Sequence, residues 1–226
     1  MRAMILAAGR GQRMGAFTTD TPKPLLKVAG RCLIEYVIDA IKRAHIDEIV
    51  INISYKAEQI KAALGDGARY GVSICYSEEP TALETGGGIV QALPLLGDQP
   101  FLVCSGDIIS DYPLAALPKE PVGLGHLVMV DNPAYRACGD FSLENGYLRI
   151  GKPTLTFANI SVWKPAFFQD ISPGRFPLSQ LLLPAIRAGE LTGEYYQGQW
   201  SNVGTPDDLF QSQTMQPSRD CEGASL

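Results

Sequence analysis

The segment AMILAAGRGQRM, residues 3–14, changes abruptly from an apolar run into a glycine-rich loop that carries Arg13. The uninterrupted apolar residues before Gly9 predict a short strand that is buried on both faces. Gly9 and Gly11 have no Cβ, so the loop after this strand can bring backbone amides close to phosphate oxygens. Arg13 can form a forked contact with two such oxygens. The segment therefore predicts a strand that ends at a triphosphate site.

A second cation follows in DTPKP, residues 20–24. Pro22 and Pro24 restrict the backbone on both sides of Lys23. An ammonium held in this way can neutralise a phosphate while a nucleophile approaches it. We therefore expect Lys23 and Arg13 to be the catalytic residues.

The first half of the chain alternates strand-like and helical patterns. Strands are predicted at 3–7, 48–53, 73–77 and 101–105, and helices at 33–44, 56–64 and 87–93. This alternation predicts an α/β fold with a Rossmann-like mixed, mainly parallel sheet that is flanked by helices. Ligands of such sheets bind beyond the carboxyl ends of the strands, so chemistry is expected in the loops after Ala7, Ser77 and Ser105.

The second half of the chain has a different pattern. Strand-like runs at 141–144 and 147–150 flank Asn145-Gly146, which predicts a hairpin. Another strand is predicted at 155–163, and a helix at 178–188 that is interrupted or bent by Pro184. The hairpin predicts a small antiparallel lobe at one end of the sheet.

Length and composition predict one domain over 1–213 and a polar, disordered tail over 214–226. A formal net charge of −5 argues against a general surface for nucleic acid or anionic membranes. No apolar run approaches the roughly 20 residues of a membrane-spanning helix, and no secretory signal is evident. The five scattered cysteines form no CxxC pair, which favours reduced thiols in a cytoplasmic protein. Only two histidines occur, and a structural role is expected for His126.

A dinucleotide-binding enzyme is disfavoured, although residues 9–15 offer a GxG opening. That fold also needs an acidic residue at the end of the second strand, where this chain has Asn52-Ile53-Ser54. The Walker A pattern is absent.

Residues 3–14 together with TPKPL, residues 21–25, resemble the signature of the sugar-1-phosphate nucleotidylyltransferases. Three later segments extend the resemblance: LETGGG at 83–88, SGD at 105–107 and WSNVGTP at 200–206. The resemblance implies that the nucleotide contacts Ala7, Ala8, Gly9, Gly11, Glu84, Thr85, Gly86 and Asp107. It also implies that Asp107 and Asn202 bind Mg²⁺, and that the fold is the nucleotide-diphospho-sugar transferase type.

Within this family the chain is most similar to the N-acetylmuramate-1-phosphate uridylyltransferases of bacterial cell-wall recycling. The segments that carry this similarity are 83–88, 127–133, 139–141 and 155–157. Mannose-1-phosphate guanylyltransferases, or other enzymes that make nucleotide sugars, are the alternative.

The resemblance implies an in-line displacement in which a sugar-1-phosphate oxygen attacks the α-phosphorus of a nucleoside triphosphate, with UTP favoured. The attacking group is already an anion, so no general base is needed, and catalysis comes from positioning and charge neutralisation. We expect a monomer or a homodimer.

On the sugar side, the resemblance implies contacts from Gly139, Asp140 and Lys152. Asp140 bonds a sugar hydroxyl, or is an exposed turn aspartate. The chain also departs from its relatives: Asn202 stands where close relatives have Asp, and Gly15-Ala16-Phe17 stands where relatives often have Arg-Pro-Leu. These departures motivate a second hypothesis, a weakly active regulatory protein that binds nucleotide sugars.

Overall fold

Strands and helices alternate along the first half of the chain in a computed structural model that describes residues 1–214. The strands are β1 (Ala3–Leu6), β2 (Lys27–Val28), β3 (Arg31–Cys32), β4 (Glu48–Ile53), β5 (Ser73–Glu78), β6 (Phe101–Ser105), β7 (Ile108–Ser110), β8 (Gly125–Val130), β9 (Ser142–Glu144), β10 (Tyr147–Arg149), β11 (Thr156–Trp163), β12 (Leu191–Tyr195) and β13 (Trp200–Asn202). The α-helices are α1 (Leu33–Arg43), α2 (Ala57–Leu64), α3 (Glu84–Leu96), α4 (Ser179–Ala188) and α5 (Pro206–Ser212). Of the tail predicted at 214–226, residues 215–226 lie outside the described part of the chain.

Within residues 1–214, nine strands form one mixed sheet in the order β5-β4-β1-β6-β11-β8-β12-β10-β9. The strands β5, β4, β1 and β6 run parallel, as the alternating pattern predicts. β11 is antiparallel to both β6 and β8, and β12 is parallel to β8. The predicted hairpin, β9–β10, adds the antiparallel lobe at the far end. Asn145 and Gly146 both have positive φ, which is the backbone that a tight hairpin turn requires.

Two apolar clusters cover the two faces of the sheet. α1 places Ile34, Val37, Ile38 and Ile41 on one face, where all four are buried. α3 and α4 cover the other face together with Trp163. Each fully buried side chain of this kind contributes roughly 1.5–3 kcal/mol to folding.

A third apolar cluster fixes the loops rather than the sheet. Met14 from the signature loop, which we define as residues 7–14, packs with residues of β2, β7 and α5. Val203, which directly follows Asn202, belongs to the same cluster. The residues predicted to act on phosphate and metal are therefore attached to one common support.

Two helices differ from the sequence predictions by more than an end residue, and the strands β2, β3, β7, β12 and β13 were not predicted. α3 begins at Glu84 rather than at residue 87, so it runs through all three consecutive glycines, and it continues past Pro94 to Leu96. α5 was not predicted, although Thr205 and Asp208 form a capping box at its start.

Among residues 1–214, no helix combines the length and the apolar character that a membrane crossing requires. Within the same residues, Cys32, Cys75, Cys104 and Cys138 are free thiols.

Candidate active site

A cavity of about 550 Å³ opens beyond the carboxyl ends of β1, β4 and β6. Its wall includes most of the residues that the sequence singled out for the nucleotide: Ala7, Ala8, Gly9, Gly11, Arg13, Lys23, Glu84, Thr85 and Asp107. We call this space the nucleotide cavity.

Lys23 and Asp107 form an ion pair at the wall of the nucleotide cavity, although they are far apart in sequence. Lys23 is 8% exposed, and its ammonium contacts one carboxylate oxygen of Asp107. The other carboxylate oxygen accepts a hydrogen bond of 2.6 Å from the Ser105 hydroxyl. The two predicted phosphate and metal groups are thus held in one place, with Ser105 fixing the orientation of the carboxylate.

The two glycines of the signature loop have different surroundings. Gly11 has φ +66, and a Cβ there would lie 3.1 Å from Cβ of Lys23. The Gly11 carbonyl accepts hydrogen bonds from the Met14 amide and the Thr18 hydroxyl. A Cβ on Gly9 would meet no protein atom within 4 Å. The protein itself therefore requires glycine at Gly11, whereas Gly9 leaves open space for a ligand.

Arg13 crosses from the signature loop to the segment after β13. A Cβ on Gly204 would lie 3.0 Å from Nη2 of Arg13, so the guanidinium packs closely against this glycine. Arg13 lines both the nucleotide cavity and a second cavity beside it. This position allows one cation to contact groups in both spaces.

A series of buried hydrogen bonds supports the signature loop. The Ala7 amide donates to Oδ1 of Asn52 (2.8 Å), and Nδ2 of Asn52 donates to Glu79 (2.7 Å). The other Glu79 oxygen accepts from the Leu83 amide (2.7 Å). Asn52 and Glu79 are 3% and 4% exposed. These hydrogen bonds therefore join the signature loop to the start of α3. Sequence analysis did not identify the Asn52 or the Glu79 side chain as part of the site.

The second cavity, of about 570 Å³, lies beside the first and shares Arg13, Thr85 and Asn159 with it. We call it the sugar-side cavity. Its wall also contains Asp140 and Asn202. Gly139 and Lys152, by contrast, line neither of these two cavities. A Cβ on Gly139 would lie 2.3 Å from the Leu155 carbonyl oxygen, so this glycine permits close backbone packing.

Asp140 uses its carboxylate within the protein. Its two oxygens accept hydrogen bonds of 2.9 and 2.7 Å from the two Nη atoms of Arg136. One of these oxygens also accepts from the Phe157 amide at 2.9 Å. Arg136 is thereby held in the wall of the sugar-side cavity. Sequence analysis did not single out Arg136.

Asn159 lies where the two cavities meet. It has φ +58 and sits in the irregular stretch of β11 between Phe157 and Ser161. Asparagine tolerates this left-handed backbone better than most residues. The bulge interrupts the strand at the site, where such features often redirect side chains.

The three glycines at the start of α3 are packed by protein atoms. A Cβ on Gly86 would meet the Phe176 ring at 2.3 Å, and one on Gly87 would meet the Gly174 carbonyl oxygen at 2.0 Å. A Cβ on Gly88 would meet Glu79 at 2.7 Å. The glycines let the loop around Gly174 cover the start of the helix, and the nucleotide contact predicted for Gly86 stays a prediction.

Glu84 begins α3 with φ +63, a backbone conformation that is unusual for a non-glycine residue. Its carboxylate accepts a hydrogen bond of 3.1 Å from Nε of Arg175. Both residues line the nucleotide cavity. The ion pair therefore holds a strained residue at the cavity wall.

The surroundings of Asn202 fit a cation with oxygen ligands. Its Oδ1 is buried and has no hydrogen-bond donor within residues 1–214. The Val203 amide donates to the Asp107 carbonyl at 3.0 Å, which joins the residue directly before β7 to the residue that follows Asn202. No group of three or more His, Cys, Asp or Glu suited to a metal occurs in the described residues. Mg²⁺ takes one or two protein ligands together with substrate phosphates, so Asp107 and Asn202 fit it.

This fold and site define a nucleotidyltransferase. A family profile described as nucleotidyl transferase matches residues 2–126, and the chain belongs to that family. It is 44% identical to the N-acetylmuramate alpha-1-phosphate uridylyltransferase of Neisseria meningitidis, over 95% of this chain and 98% of that protein. It is 29% identical to the mannose-1-phosphate guanylyltransferase catalytic subunit beta of Dictyostelium discoideum, over 93% of this chain and 63% of that protein.

Solved structures confirm the fold. The inositol-1-phosphate CTP transferase from T. maritima matches with a TM-score of 0.79 at 16% identity, over 94% of both chains. The chain therefore has the nucleotide-diphospho-sugar transferase fold, and it is an enzyme that transfers a nucleotidyl group to a sugar 1-phosphate.

Proposed function

We propose that the chain is a Mg²⁺-dependent uridylyltransferase that converts UTP and N-acetylmuramate 1-phosphate into the UDP-sugar and pyrophosphate. The choice of substrates rests on the 44% identity that extends over 98% of the Neisseria meningitidis enzyme. The geometry that supports the chemistry is the Lys23–Asp107 pair at the wall of the nucleotide cavity, with Asn202 in the neighbouring sugar-side cavity.

The reaction forms one P–O bond and breaks another. A phosphate oxygen of the sugar 1-phosphate, entering from the sugar-side cavity, attacks the α-phosphorus of UTP. The bond between the α-phosphorus and its bridging oxygen breaks, and pyrophosphate leaves with the electron pair. The attacking oxygen carries no proton that must be removed, so the site needs no general base.

The side chains of this enzyme position the phosphates and neutralise their charge. Lys23 turns from Asp107 toward the α-phosphate, and Arg13 contacts the phosphates from the shared wall of the two cavities. Gly9 leaves room for the phosphates to approach the backbone. Asp107 and Asn202 would hold Mg²⁺, which when bound would supply further positive charge beside the phosphates.

A guanylyltransferase acting on mannose 1-phosphate is the second candidate, because the Dictyostelium discoideum relative carries that name. A weakly active regulatory protein is the third, because Asn202 offers a neutral ligand. A monomeric or dimeric state and a cytoplasmic location stay predictions.

A matrix of nucleoside triphosphates against sugar 1-phosphates, measured as pyrophosphate release, separates these candidates. We expect the highest kcat/KM with UTP and N-acetylmuramate 1-phosphate. A preference for GTP with mannose 1-phosphate supports the second candidate instead. Binding of UTP without pyrophosphate release, for every sugar in the matrix, supports the third.

A further inference from the structure

The wall of the sugar-side cavity contains an arginine that no step of the phosphate chemistry uses. Arg136 follows β8 in a turn that is closed by a hydrogen bond of 2.8 Å from its amide to the Pro133 carbonyl. Its side chain is 37% exposed and lines the cavity. Two N–H groups of the guanidinium bind Asp140, and the rest of the group faces the open space.

Asp140 fixes the direction of the Arg136 guanidinium. The Asp140 carboxylate is itself anchored by the Phe157 amide of β11, so the pair is attached to the sheet rather than to the turn alone. The fork on Asp140 uses one N–H of each Nη atom. A guanidinium has five N–H donors, so three remain, and none of these three donates to another side chain within residues 1–214.

The wall of the sugar-side cavity carries two cations, Arg13 and Arg136, against one anion, Asp140. The Arg13 guanidinium lies close to Gly204, near the predicted metal ligand Asn202. The Arg136 guanidinium is instead hydrogen-bonded to Asp140, which also binds an amide of β11. The two guanidinium groups therefore lie on different parts of the wall, where they can contact two separate anionic groups of one ligand.

The rest of this wall is largely apolar. It includes Phe141, Phe157, Leu178 and Leu182. Such a surface accepts methyl groups, and a charge-assisted hydrogen bond is strengthened where apolar neighbours limit access of water.

We propose that Arg136 is a specificity-determining residue that binds a carboxylate on the sugar, so that the enzyme selects an acidic sugar 1-phosphate. Arg13 contacts the phosphate end of this substrate, and Arg136 contacts its carboxylate through the donors that Asp140 leaves free. Because Asp140 holds the guanidinium in place before the sugar arrives, little side-chain freedom is lost on binding. This inference rests on the proposed function, whose sugar carries a carboxylate in its lactyl ether.

The test compares N-acetylmuramate 1-phosphate with N-acetylglucosamine 1-phosphate, which lacks only the lactyl group, with UTP at saturation. For Arg136→Gln we expect the ratio of the two kcat/KM values to fall roughly 10- to 100-fold, through loss with the acidic sugar alone. Arg136→Lys keeps the positive charge but cannot form two parallel hydrogen bonds. Its ratio of the two kcat/KM values should lie between the ratios of Arg136→Gln and wild type.

Arg149→Gln is the matched control. Arg149 forms a similar ion pair of 2.9 Å, with Glu144 of the hairpin, and lines neither cavity, so its ratio should equal that of wild type. If Arg136→Gln lowers turnover of both sugars equally, Arg136 has only a structural role and the inference is overturned. If wild type favours the acidic sugar and Arg136→Gln keeps that ratio, the inference fails while the proposed function stands. If wild type does not favour the acidic sugar, both fail.

Discussion

The Lys23 ammonium contacts the Asp107 carboxylate, which joins the segment after the signature loop to the loop after β6. In this arrangement the lysine is paired with the residue that we assign to the metal. In the proposed mechanism, binding of metal and triphosphate separates the two groups, because Asp107 then faces a cation and Lys23 a phosphate. The ion pair holds both side chains at the wall of the nucleotide cavity, where we propose that the reaction takes place.

Replacing Lys23 with Met tests this assignment. We expect kcat/KM for pyrophosphate release to fall roughly 100- to 1,000-fold, because a fixed charge at the reacting phosphate is lost. Lys27→Met is the control, since Lys27 is exposed and lines neither cavity. Urea unfolding should show that the Lys23 variant remains folded. Turnover close to that of wild type would contradict the role given to Lys23.

Replacing Asn202 tests the second metal ligand. We expect Asn202→Ala to raise the Mg²⁺ concentration that gives half-maximal activity, because a buried ligand oxygen is removed. Asn202→Asp should lower it, since the carboxylate adds a negative charge. Ser201→Ala, whose hydroxyl contacts Ser212 instead, should leave the Mg²⁺ dependence unchanged. An Asn202→Ala variant with unaltered Mg²⁺ dependence would show that the ligand assignment is wrong.

The features that could be predicted from sequence follow either from local patterns or from the general geometry of parallel sheets. The apolar run before Gly9 buries β1, and Asn145-Gly146 sets the hairpin turn by its own backbone preference. The loops after β1 and β6 meet because parallel strands end at the same edge, which brings Lys23 to Asp107.

The features that could not be predicted depend on distant partners. α3 starts three residues early because Gly174 and Phe176, far along the chain, pack on glycines that would otherwise disfavour a helix. Arg136 became part of the site only through β11, which fixes Asp140. α5 is the exception, because its capping box was a local signal that sequence analysis overlooked.

Gly9 and Gly87 should respond to alanine in opposite ways. Gly87→Ala places a Cβ 2.0 Å from the Gly174 carbonyl, so we expect a lower free energy of unfolding, by about 1–3 kcal/mol. Gly9→Ala meets no protein atom, so its stability should equal that of wild type while its KM for UTP rises. Urea unfolding and initial rates measure the two effects. A normal KM for Gly9→Ala would remove the argument that phosphate approaches the backbone there.

Removing Asn52 should affect both stability and nucleotide binding. Asn52→Ala leaves the Ala7 amide and the Glu79 carboxylate without their buried partner, which should cost about 1–3 kcal/mol in the free energy of unfolding. The KM for UTP should rise more than that for the sugar 1-phosphate, because the signature loop loses its support. Equal changes in both KM values would indicate general destabilisation rather than support of this loop.

The pH dependence of stability should report on His126, a residue of β8 that is paired with Thr192 of β12. Its Nδ1 is 2.9 Å from the Thr192 hydroxyl, and its Nε2 is 3.7 Å from a Glu194 carboxylate oxygen. Burial lowers the pKa of His126 below its ordinary value, and the Glu194 carboxylate opposes this only in part. Between the lowered pKa and the ordinary value of about 6.5, the unfolded chain binds more protons than the folded protein.

The contribution of neutral His126 is therefore complete above about pH 6.5 and is lost as the pH falls through the lowered folded pKa. We expect wild type to lose more free energy of unfolding than His126→Gln when urea denaturation is repeated from about pH 7.5 down to about pH 5. His45→Asn is the control, because His45 is exposed and asparagine suits its positive φ. This variant should follow the wild-type curve. Parallel curves for wild type and His126→Gln would mean that His126 takes up its proton equally well in the folded and unfolded states, contrary to its burial.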